Sequence, residues 1–130
     1  MARKILSAHP FATHELEDIC RAIQNHEAFK DTVALPTEHG CLMSDCLYDA
    51  DKFRWGPDNF THTIWDMVRF SNIPISQFVT HYPRGMATLV KIRATFRTRI
   101  GKKYGPDFID TGIAIGEELY RVMASEFSLL

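Results

Sequence analysis

Apolar residues in the middle of the chain follow helical rather than alternating spacing. Phe60, Ile64, Met67 and Val68 recur at the three- and four-residue intervals of one helix face. Asp58 and Asn59 follow Pro57 and bring side-chain oxygens to the first amides, so a helix is predicted over 59–71. Ser71, Asn72 and Ile73 lead into Pro74, which disfavours helical geometry in the residue before it. The chain is expected to turn here, with Asn72 in the left-handed conformation. From Ile75 a short second helix carries Phe78, Val79 and Tyr82 and is expected to stop at Pro83. A third helix, from Arg84 or Gly85, has an apolar stripe of Leu89, Ile92, Phe96 and Ile100. Arg84, Thr88, Lys91, Thr95, Arg99 and Lys102 recur on its opposite side. This helix is predicted to end over 101–105, which would set Lys102 and Lys103 against the negative pole of its dipole.

The flanks read the same way. Residues 1–12 lack a clear period and are expected to form an N-terminal arm. Thr13 caps a predicted helix with Glu15 in its first turn and a narrow apolar face of Leu16, Ile19, Cys20 and Ile23, reaching Phe29. Cys20 is expected in the core as a small hydrophobe. Val33–Leu35 is a link before Pro36, and a helix over 41–53 places Leu42, Cys46 and Ala50 on one face. Asp45, Asp49 and Asp51 make its other side acidic, a candidate counterpart to the basic stripe. Gly105, Pro106 and Asp107 read as the start of a last helix. Its wide apolar surface includes Phe108, Ile109, Ile113, Ile115, Leu119, Tyr120, Val122, Met123 and Phe127, which fits either the centre of a bundle or a face covered by a second subunit. Gly112 and Gly116, four apart, would let another helix approach closely. The expected fold is all-α: five or six helices in one compact domain over 1–130, with a helix-turn-helix embedded within 58–103.

Composition bounds the class of protein. At 130 residues, 45% hydrophobic and 24% charged, the chain has the balance of a single soluble globular domain. It has no run of eighteen apolar residues, and Ile5 and Leu6 alone are too few for a signal-peptide core. Three cysteines without a regular framework agree with a reducing, cytoplasmic setting. The net charge of −1 conceals an asymmetry: residues 84–103 carry seven basic side chains and no acidic one. Such a stripe suits phosphate oxygens, which accept charge-assisted hydrogen bonds. The same pattern also describes the wetted side of an amphipathic helix.

Thr63, Asp66, Asn72, Ile73, Phe78, His81, Tyr82, Pro83 and Leu89 fall in an order that resembles the helix-turn-helix of TetR-type transcriptional regulators. In that family the motif lies near the N-terminus, whereas here some sixty residues precede it, and Val79 and Gly85 stand where an aromatic and a lysine are usual. The resemblance implies a DNA-binding, regulatory protein, and a homodimer is expected because duplex sites are commonly read by two-fold partners. Ser76, Gln77 and Thr80 would then offer hydrogen bonds to base edges, while Arg84, Lys91, Arg99 and Lys102 would bind phosphates. The alternative is a non-enzymatic protein-binding adaptor or inhibitor that works through the basic stripe or the last helix. His39, Cys41 and Cys46 are the one constellation with zinc-like chemistry, but their spacing lacks the paired short intervals of a structural site, so no metal is expected. His62 and Asp66, four apart, can pair on one helix face, and His81 is read as a packing or capping side chain. The chain contains no phosphate-binding glycine loop, no Gly-x-Ser-x-Gly and no His-Glu-x-x-His, so neither a catalytic residue nor a cofactor is expected.

Overall fold

The computed structural model describes residues 1–127, and among them the chain is all-α. A short helix, α1 (Ala2–Leu6), replaces the expected arm and leans on α2 (Thr13–Gln24). The long helix α3 (Glu38–Phe53) packs along α2. A π-helical turn, Asn59–Thr63, runs directly into α4 (Ile64–Ser71), so the helix predicted over 59–71 is present with a widened first turn. Asn72 then takes the left-handed conformation (φ 50°, ψ 38°), as the sequence predicts. Two long helices follow, α5 (Ile75–Ile92) and α6 (Arg99–Glu126). Helix α6 touches α3, α5 and the π-helical turn, which makes it the central element.

Helices α3 and α6 begin with the same device. Thr37 and Thr98 each accept the amide of the glycine three residues on, Gly40 and Gly101, at 2.9 Å. Each threonine hydroxyl donates to a buried carboxylate from an earlier helix: Thr37 to Asp18 at 2.5 Å, and Thr98 to Asp49 at 2.6 Å. Asp49 also accepts the amides of Arg97 and Thr98, both at 2.8 Å. These contacts fasten α2 to the start of α3, and α3 to the start of α6.

Several predicted boundaries move, each for a physical reason. Helix α2 is opened by Ala12 rather than Thr13, with Glu15 reaching back to the Ala12 amide at 2.8 Å. It stops at Gln24, short of Phe29, because the Asn25 carboxamide closes onto both backbone groups of Val33 at 2.9 Å. Cys20 is half-buried rather than in the core. Pro83 does not end a short helix but sits inside α5 on its exposed side. The buried residues Val79, Tyr82, Leu89 and Ile92 lie on both sides of Pro83 and hold one continuous helix against the core, offsetting the lost backbone hydrogen bond.

The basic helix expected to run on to Gly101 instead stops at Ile92. Asp49 binds the amides of Arg97 and Thr98, which forces a turn there. Phe96 is consequently buried, while Ile100, predicted on the same stripe, is exposed. Pro106 opens no helix either, since α6 begins seven residues earlier at Arg99. The wide apolar surface of α6 divides in two. Ile109 and Met123 are fully inside, whereas Phe108, Ile115, Val122 and Phe127 keep substantial exposure.

Candidate functional site

The outward side of α5 is assembled by the helix period. Ser76, Thr80, Arg84, Thr88 and Lys91 recur along one side, Gln77 lies beside them, and all six are exposed. The Thr80 and Thr88 hydroxyls donate back to the carbonyls of Ser76 and Arg84 at 2.9 and 3.1 Å, leaving their oxygens open as acceptors. Among the described residues neither Arg84 nor Lys91 pairs with a carboxylate, and no acidic residue occurs between Asp66 and Asp107. Five of the residues singled out for base or phosphate contact therefore share one helix surface: Ser76, Gln77, Thr80, Arg84 and Lys91.

Arg99 and Lys102 belong elsewhere, on the first turn of α6, with Lys103 next to them. The predicted placement of Lys102 and Lys103 at a helix C-terminus is thus reversed. They stand at the positive end of the α6 dipole, where cations are unfavourable, and the first turn contains no acidic residue. All three are exposed.

The remaining basic residues of the stretch are taken up internally. Arg93 pairs with Asp110 at 2.9 Å. The guanidinium of Arg97 lies 3.6 Å from the Tyr48 ring centroid and donates to the Asn25 carbonyl, while Asp45 stands 4.0 Å away. The acidic side of α3 does not cover the basic surface as a whole. Asp45 and Asp49 reach only residues 97 and 98, and Asp51 holds Lys52 at 2.6 Å and Arg54 at 3.2 Å.

Other candidate groups do not converge. Consecutive helix residues are about 100° apart, so His39 and Cys41 on α3 project about 200° from each other. Neither they nor Cys46 joins a group of three potential metal ligands among the described residues. His62 falls in the π-helical turn and its Nδ1 meets the Thr61 hydroxyl at 2.8 Å; no His62–Asp66 ion pair occurs among the described residues. His81, expected to pack or cap, is instead exposed within α5 and donates Nδ1–H to the Gln77 carbonyl one turn back at 2.8 Å. Sequence reading missed the buried pairings of Asp18 with Thr37 and Asp49 with Thr98. The repeated Thr-x-x-Gly at 37–40 and 98–101 was the available signal.

Fold and surface together define, among the described residues, an all-α protein in which α5 and the head of α6 carry five exposed basic residues without a carboxylate partner. Comparison with protein-family models, curated proteins and solved structures gives no match.

Proposed function

We propose that the protein binds a polyanion, namely nucleic acid, through the outward side of α5 and the first turn of α6. The carrying observation is the set of unpaired cations. Arg99, Lys102 and Lys103 at the start of a 28-residue helix, and Arg84 and Lys91 on α5, have no ion-pair partner among the described residues; the one carboxylate at that helix start, Asp49, is spent on the amides of Arg97 and Thr98 and the Thr98 hydroxyl. Mutual repulsion among these cations disfavours the arrangement in the free protein, and phosphates would relieve it. The turn between α4 and α5, with left-handed Asn72 at its corner, is the feature in favour of the helix-turn-helix resemblance, while the continuation of α5 through Pro83 departs from it. On this reading Ser76, Gln77 and Thr80 face base edges while the cations hold the backbone.

The test is fluorescence anisotropy with a random-sequence duplex over about 50 to 200 mM salt, where several phosphate contacts lower affinity by orders of magnitude. Arg84→Glu together with Lys91→Glu abolishes binding while the circular-dichroism spectrum stays helical. Arg93→Gln costs little, because Asp110 already balances that charge. Absence of binding at the lowest salt would overturn the reading.

A second reading, protein association, draws on α6. Tyr104, Phe108, Ile115 and Val122 are all exposed and fall on one side of the helix. Association through this stripe would serve either a homodimer or an adaptor. Sedimentation of the wild type against Ile115→Lys separates it from the first reading: a fall in mass with unchanged duplex affinity assigns α6 to association alone.

A further inference from the structure

The inner side of α5 faces a half-open cavity of about 290 Å³, walled also by Trp55, the π-helical turn and α4 and open to solvent beside Met67, His81 and Gly85. Phe60, Phe78, Leu89 and Ile92 supply a largely carbon wall. The polar groups that reach this wall are mostly occupied. Tyr82 donates its hydroxyl to the Gly116 carbonyl at 3.0 Å, Thr88 to Arg84 at 3.1 Å, and His81 its Nδ1–H to Gln77 at 2.8 Å. Asn59 differs. It lines the cavity, is only 3% exposed, and its Oδ1 is buried without a hydrogen-bond partner among the described residues. Native interiors rarely leave an acceptor in that state. Asn59 is also the first residue of the π-helical turn, a local widening frequent at functional sites.

We propose that this cavity binds a small, flat, mainly apolar molecule of two fused rings bearing one hydroxyl, and that the Asn59 carboxamide recognises the hydroxyl. Size sets the ring count: a dry apolar cavity of about 150 Å³ accommodates benzene, and this one has about twice that volume. Chemistry sets the single polar group. A half-turn about χ2 exchanges the carboxamide oxygen and nitrogen, and a hydroxyl, being both donor and acceptor, can meet either. The proposal does not depend on nucleic-acid binding.

The probes are 2-naphthol and naphthalene, which differ only in that hydroxyl, followed by methyl NMR of protein carrying 13C-methyl methionine. Met67 and Met86 line the cavity and Met43, on α3, does not. Both probes should shift the Met67 and Met86 methyls saturably and leave Met43 unmoved. 2-Naphthol should bind about three- to tenfold more tightly, the worth of one hydrogen bond, and Asn59→Leu should erase that preference. Gly85→Leu provides a second variant: Gly85 lines the cavity, a Cβ there meets nothing within 4 Å, and the change suits the helix. It should weaken both probes. Unshifted Met67 and Met86 at the solubility limit of 2-naphthol overturn the site. Equal affinity of the wild type for the two probes overturns the role of Asn59 and the ligand class.

Discussion

Two buried aspartates carry much of the specificity of this fold, and neither belongs to an apolar stripe. Asp49 receives three hydrogen bonds from residues 97 and 98 and is 4% exposed. Asp49→Ala strands all three donors and should cost about 3 kcal/mol in chemical denaturation. Asp49→Asn keeps one oxygen acceptor and should cost roughly half as much. Tyr82 predicts a pH dependence. Burial holds its hydroxyl protonated above the ordinary 10.0. The unfolded chain releases that proton near its ordinary value and the folded chain does not, so unfolding becomes easier as pH rises past it. Stability attributable to Tyr82 is therefore complete below about pH 10 and declines above it. Denaturation midpoints from about pH 8 to 11 should show this decline, and Tyr82→Phe should remove its share of it.

At the scale of elements, α6 shows how glycine can support a helix that its propensity disfavours. A Cβ on Gly112 would lie 2.8 Å from the Gly56 backbone and 2.9 Å from the Trp55 carbonyl; one on Gly116 would strike the Phe60 ring. The close approach that this glycine spacing permits is therefore made within the chain, to the 55–60 segment. Gly112→Ala should destabilise by about 2 kcal/mol despite improving helix propensity, because the backbone it meets cannot move aside. Gly85→Ala on α5 has open space and should stabilise by about 0.5 to 1 kcal/mol. Thermal unfolding of the two variants checks the opposite signs. Helix α5 makes the complementary point, since its buried face spans Pro83 and overrides the break that proline normally imposes.

Across the whole molecule, charge is divided rather than balanced. A net charge of −1 coexists with a 40-residue stretch, 67–106, that has no acidic side chain. Within it the fold separates two groups of cations: Arg93 and Arg97 are held by Asp110, Tyr48 and Asn25, while Arg69, Arg84, Lys91, Arg99, Lys102 and Lys103 are exposed without a carboxylate partner among the described residues. Apart from Arg69 on α4 these residues lie on one side of α5 and at the head of α6, and the apolar cavity occupies the adjoining face of α5, meeting the basic side at Thr88.

The helical period by itself determined that this chain is all-α, that a helix begins near residue 59, and that Asn72 turns the chain before Pro74. These features follow from local sterics and spacing, which are written in neighbouring residues. Only the tertiary structure decided that α5 passes through Pro83, that the chain breaks after Ile92, and that α6 begins at Arg99. In each case a partner distant in sequence supplied the energy: core packing along α5, and the Asp49 carboxylate at residues 97 and 98. The same long-range contacts decided which cations of the 84–103 stretch stay free. They also produced the cavity beside Asn59, which no periodicity could announce because its walls come from segments brought together only on folding.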